Sequence, residues 1–259
     1  MHSTRLFVAL AILLVGQTAF AGDQADAVKK AVIGPQQAGW ERHDYKAYMA
    51  QWTDDAEFVL GRAETPGKYD ITFSRKQLEG TRKILMHGKP PGDRKLTFEN
   101  VQVKIDGDRA ELRCRTTMTF EGGFETVGEI YRLRKTSAGW KVYFNRGWSL
   151  EAKRDGQVLK FDAASYKKLD AAAEEQLGND DRGAKAAQAL YHAQRYAEEH
   201  ALRKKITARK DATASDWLSR GYAALSIGDA EDALAAFRQA LKLDASIPVP
   251  EYVRENPKK

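Results

Sequence analysis

Arg146 stands in an alternating run, Trp140, Val142, Phe144, Arg146, Trp148, and a period of two puts all five on one face of a strand. A guanidinium set in an aromatic wall suits a carboxylate-bearing ligand, through two parallel hydrogen bonds. The alternative is an internal ion pair with Glu129 or Asp55, because a buried charge needs a partner. In the preceding run Glu129, Tyr131 and Leu133 share a face in the same way. Glu129 and Asp55 together supply an acid and base couple if an apolar wall raises one of them. Trp40, Trp52 and Tyr48 serve either as core or as a flat platform for a ligand. The expected ligand pocket therefore comprises Arg146, Trp148, Tyr131, Glu129, Asp55 and Trp40, and the expected ligand is small and acidic or aromatic.

Other chemistries lack their residues. The chain holds no His-Glu-x-x-His, paired-cysteine, Gly-x-Ser-x-Gly or phosphate-loop pattern, and its five histidines (2, 43, 87, 192 and 200) are scattered. No metal and no cofactor is expected. With 42 Lys and Arg against 36 Asp and Glu in 259 residues, the positive excess is mild. Basic and acidic residues interleave rather than cluster, which argues against nucleic acid as a partner. The single cysteine, Cys114, lies on an apolar alternation with Leu112, Thr116 and Met118, as a buried, inert thiol would.

These residues need a sheet and helices to position them. From Lys95 to Leu150, runs rich in Val, Phe, Tyr and Thr are separated by Asp106-Gly107, Gly122-Gly123 and Ser137-Ala138-Gly139, which predicts four consecutive antiparallel strands. Leu96 and Phe98 are out of phase with Val101, Val103 and Ile105, so a bulge is expected near Glu99 or Asn100. Upstream, a helix is expected over Asp26 to Trp40, kinked or split at Gly34-Pro35. Asp44 caps a second helix carrying Tyr45, Tyr48, Met49 and Trp52. Ser74 and Gln77 open a third with a capping box, ending near Met86 before Gly88 and Pro90-Pro91. Glu57 to Leu60 reads as a short strand. Helices followed by a curved antiparallel sheet make this half α+β.

The run Trp40 to Gly61, the middle helix and the closing hairpin Gly128 to Leu150 together resemble the nuclear transport factor 2-like superfamily, in its SnoaL-like branch. The Asp54-Asp55-Ala56 turn and the Gly139-Trp140-Lys141 strand opening carry the likeness. The resemblance implies a cone of helices against a bent sheet with a pocket inside, hosting isomerases, dehydratases, cyclases, hydrolases and non-catalytic binding modules. It implies a departure too: where the superfamily's steroid isomerases carry their carboxylate base this chain has Leu60, and near their oxyanion tyrosine it has Gln36.

After Leu150 alanine becomes frequent. Asp162 caps a helix running to Gln176 or Leu177, and further helices are expected over Asp181–Ala193, Tyr196–Arg209, Ser215–Ser226 and Ala230–Leu243. The last pair resembles a tetratricopeptide repeat, with Trp217, Gly221, Gly228-Asp229, Ala233, Phe237 and Ala240 at the motif's packing positions. Arg220 replaces the motif's leucine and Ala245 its closing proline. The expected domains are a signal peptide over 1–21, the α+β domain over 22–150, a polar linker over 151–161, an all-α repeat array over 162–247 and a polar tail over 248–259.

Arg5, the apolar run Leu6 to Val15 and Ala19-Phe20-Ala21 form a secretory leader cut after Ala21. The run is too short for a membrane span. The expectation is an exported, soluble, non-catalytic binding protein whose repeats meet another protein, with a homodimer through the sheet as a further arrangement. The competing expectation is a lyase, isomerase or hydrolase working in the cone pocket.

Overall fold

A computed structural model describes residues 4–88, 92–154, 156–179 and 183–257, with side chains from residue 22 onward except that of Arg154. Helices α1 (Thr4–Arg42) and α2 (Tyr45–Ala50) lead into strands β1 (Trp52–Gly61) and β2 (Ile71–Ser74), then α3 (Arg75–Leu85). The meander β3 (Lys95–Asp106), β4 (Arg109–Phe120), β5 (Gly123–Thr136) and β6 (Gly139–Arg154) follows, closed by β7 (Gln157–Lys160). Helices α4 (Ala163–Asn179), α5 (Ala184–His192), α6 (Tyr196–Thr207), α7 (Ala214–Ser226), α8 (Ala230–Leu243) and α9 (Glu251–Glu255) complete the described chain.

The strands form one sheet of order β2-β1-β6-β5-β4-β3, with β7 also on β6. The sheet is mixed, not wholly antiparallel as expected, because β1 runs parallel to β6. The two are joined by a crossover through β2, α3 and the meander rather than by a hairpin. Helices α1 to α3 cover one sheet face, where Val28, Val32, Tyr48, Leu78, Leu112, Tyr131, Leu133 and Val142 form the main core. The N-cap and the capping box expected from the sequence are in place: Asp44 accepts from the Ala47 N–H, and Ser74 and Gln77 bond reciprocally. The expected bulge lies between Glu99 and Gln102, with Asn100 in the left-handed region (φ 53°).

Several boundaries differ from expectation. Pro35 sits inside an unbroken α1, with Val32 and Ala38 buried on either side of it. α2 stops at Ala50, and Trp52 opens β1, its ring still 6.1 Å from that of Tyr48. The segment expected as a linker is a hairpin: Ala152 and Phe161 are buried, and Lys153 pairs with Val158. The tail expected to be polar docks, with Val249 and Val253 buried beside Ile84 of α3. α4 also runs through Gly178 to Asn179, and α5 begins at Ala184 because Gly183 turns left-handed (φ 77°). Of the leader expected over 1–21, residues 1–3 and the side chains lie outside the described set. Among the described residues no helix is long and apolar enough to cross a membrane.

α7 and α8 pack through the small residues the sequence singled out. Gly221, Ala233, Phe237 and Ala240 are buried, and a Cβ on Gly221 would meet the Phe237 ring at 2.4 Å. Trp217 packs at the edge of the same cluster. Arg220, where the motif has leucine, cross-links three helices: it donates to Asp232 on α8 and to Thr207 on α6, while His200 of α6 lies 2.7 Å from Asp232.

Candidate functional site

β6 changes face partway along. Leu133 pairs with Val142 but Arg132 pairs with Phe144, so Tyr143 is an extra residue that shifts the alternation by one. Up to the bulge Trp140 and Val142 face the core. Beyond it Asn145 and Gly147 do so, opposite Tyr131 and Glu129. Phe144, Arg146 and Trp148 therefore point to the other face.

This overturns the expected placement of Arg146. Its guanidinium is buried outside the cavity, donating to Asp70 at 2.8 and 3.1 Å, to the Ala63 carbonyl at 3.0 Å and to the Thr65 carbonyl at 2.6 Å. It is an internal pair, but with Asp70 rather than Glu129 or Asp55, and it fastens the loop between β1 and β2. Trp148 lies across Gly128 on the same outer face, where a Cβ at 128 would meet its ring at 2.4 Å. Asp55 is exposed and pairs with Arg134 at the surface, so it forms no couple with Glu129. Its carboxyl is held low by hydrogen bonds from Thr53 and Arg134. Tyr131 is fully buried behind the cavity wall. Glu129 and Trp40 alone of the six expected residues line the cavity.

The cavity holds about 580 Å³. Trp40, Tyr48, Phe58, Phe73 and Leu78 form an apolar wall, and Leu60 and Gln36, the positions compared above with the isomerases, also face it. Its other side is built by the helical array: Gln188 and Tyr191 of α5, Tyr196, Glu199 and Arg203 of α6, and Tyr222, Ala223 and Leu225 of α7. The array thus roofs the mouth of the α+β unit. The turn after α7 makes direct contact, since Gly228 (φ 80°) has no room for a Cβ, which would lie 2.2 Å from Phe73 of β2. Arg62 adds a clamp, donating to both carboxylate oxygens of Asp170 on α4 at 2.8 Å and to the Ala193 carbonyl. Its guanidinium also stacks 3.9 Å from the Tyr69 ring and 4.7 Å from Tyr166.

Polar groups converge at one wall. The Thr116 hydroxyl donates to Glu129 Oε2 at 2.5 Å and the Tyr131 hydroxyl to Oε1 at 2.7 Å. Burial pushes the Glu129 carboxyl above the ordinary range. Hydrogen bonds from Thr116, Tyr131 and Asn145 and the field of Arg82 oppose that rise without cancelling it. Burial likewise raises the Tyr131 phenol, and pushes the Cys114 thiol up to about 12, so that thiol is inert at neutral pH.

Arg82 and Gly147 are among the wall residues that escaped the sequence reading. Arg82 lies on α3 four residues after Leu78, on the stripe that also carries Thr81 and Leu85, and it lines the cavity. An arginine on an apolar helical stripe was the available signal. Gly147 came inside through the Tyr143 bulge, which alternation alone could not reveal. Among the described residues no group of His, Cys, Asp and Glu is arranged to hold a metal ion.

No protein-family model matches the chain, and no curated protein matches it either. Part of the chain is similar to solved structures. A candidate dehydratase from the NTF2-like family of Streptomyces avermitilis is 18% identical, over 50% of this chain and 97% of that one, with a TM-score of 0.41. A candidate aromatic ring hydroxylase from Novosphingobium aromaticivorans is also 18% identical, over 49% and 90%, with a TM-score of 0.41. A protein of unknown function from Mycobacterium tuberculosis is 13% identical, over 69% and 89%, at the same TM-score.

Proposed function

We propose that this protein binds a small, largely apolar molecule in the roofed cavity, without turning it over. The observation that carries the reading is a cavity of about 580 Å³, within the range of small-molecule sites, with an aromatic wall and only a few convergent polar groups. The leader reading extends the proposal to an exported protein. Cleavage after Ala21 would keep the buried α1 residues Val28, Val32 and Ala38 in the mature chain. In this reading the tetratricopeptide-like helices serve first as a roof, and a partner protein would meet their surface turned away from the cavity.

Catalysis is the second reading, favoured by one observation: Glu129 is a carboxyl in a cavity wall whose burial raises it, the direction a general acid needs.

Gly147 provides the test. A Cβ built there meets nothing within 4 Å, so Gly147→Leu has room to start into the cavity space beside Glu129. Titration with 1-pyrenebutanol, followed by its fluorescence, is expected to show saturable one-to-one binding. Gly147→Leu should weaken that binding at least about tenfold, a change of about 1.4 kcal/mol, with the melting temperature unchanged. Equal affinity in the two proteins would overturn the cavity reading.

A further inference from the structure

We infer that the cavity selects an amphipathic monocarboxylate, whose carboxylate pairs with the Arg82 guanidinium in the wall that also carries Glu129. The inference rests on the cavity reading and adds the ligand's charge to it.

Arg82 differs from the other arginines around the site. Arg203 pairs with Glu199, Arg62 with Asp170 and Arg146 with Asp70. Among the described residues Arg82 has no ion-pair partner, its Nε is buried without a hydrogen-bond acceptor, and its nearest aromatic contact is the Tyr48 ring, 5.4 Å from Cζ. A guanidinium cannot discharge itself by losing a proton, so a partly desolvated one calls for an anion.

Glu129 makes no ion pair with Arg82, and both its oxygens accept from the Thr116 and Tyr131 hydroxyls. The groups facing it are Cys114 and Thr116 from β4, Tyr131 from β5, Asn145 from β6 and Arg82 from α3, with Tyr48 of α2 next to Tyr131. Of these Arg82 alone carries a positive charge. Its field is outweighed by burial, which favours the protonated acid. Glu125, the other carboxylate on the sheet side of the wall, accepts from the Ser149 hydroxyl at 2.7 Å. A protonated Glu129 is uncharged, so it leaves the cation beside it free to take one carboxylate. A cationic ligand would be repelled by Arg82, and a neutral one would leave the guanidinium unpaired.

The experiment compares 1-pyrenebutyrate with 1-pyrenebutanol, which share their apolar body. At about pH 5.5 the acid should bind at least about tenfold more tightly. Measured from about pH 5.5 to 8.5, its advantage should shrink as the pH rises, because ionisation of Glu129 repels it, while the alcohol's affinity stays level. Arg82→Gln should erase the preference and leave alcohol binding intact, and Arg82→Lys should retain part of it. Glu129→Gln, which cannot ionise, should retain the preference without its pH dependence. Equal binding of acid and alcohol to the unaltered protein, or a preference surviving in Arg82→Gln, would overturn the inference and leave the cavity reading standing. Failure of both probes to bind would overturn the two together.

Discussion

Arg146→Leu removes the only side chain that holds Asp70 together with the Ala63 and Thr65 carbonyls, leaving a mostly buried carboxylate without its bidentate partner. The fold should lose about 3–5 kcal/mol, read from urea melts, and Asp70→Asn added to it should recover part of the loss. An unchanged midpoint would mean that the loop between β1 and β2 is fastened elsewhere. The same residue shows what the sequence could and could not convey. That an arginine among Phe144 and Trp148 must be buried and paired was readable from residue types, and Asp55 and Glu129 were sensible partners. Asp70 was out of reach, because nothing local links a residue in an irregular loop to a strand so far along the chain. Glu129 and Trp40 were legible as wall residues since their own segments keep register. Arg82 was legible in principle, as a charge on the apolar stripe of an amphipathic helix.

At the scale of elements, patterns local in sequence survived: the N-cap, the capping box, the bulge after Glu99 and the helices of the array all rest on neighbours within a turn or a hairpin. Much that depended on a distant partner was lost. The four-residue β2 carries too short an alternation to stand out, and it exists because β1 offers it an edge. The pairing of Val158 with Lys153 turns a polar, glycine-containing stretch into a hairpin, and Ile84 gives the short α9 something to dock on. In the array, Phe237 is fully buried against Gly221, and its ring lies 5.1 Å from that of Tyr222, whose residue also lines the cavity. Phe237→Ala in the full chain should cost about 3–5 kcal/mol, because α7 and α8 cannot collapse around so large a void. Thermal melts check this, and a shift within error would refute the packing assigned to that pair.

For the whole molecule, the decisive relation is between the sheet unit and the helices that roof it. Arg62 joins them by ion pair, carbonyl contact and ring stacking at once, so Arg62→Met should loosen the roof while leaving the main core intact. Hydrogen exchange should quicken in α4 and α5 but not in β4 and β5, and 1-pyrenebutanol affinity should fall severalfold. Uniform exchange across both halves, or none altered, would show that the clamp does not hold the roof. β1, β2 and α3 leave the ribosome well before the strand that completes their sheet edge, and residues 142–148 must emerge before β1 can pair in parallel with β6. The roofing helices come later still. Through that interval Phe58, Phe73 and Leu78 lack the partners that finally enclose them. The surface that ends as a ligand cavity is thus, during synthesis, an unprotected apolar patch, and the stretch from β1 to α3 is where a nascent chain of this protein is most exposed to aggregation and most dependent on a holding chaperone.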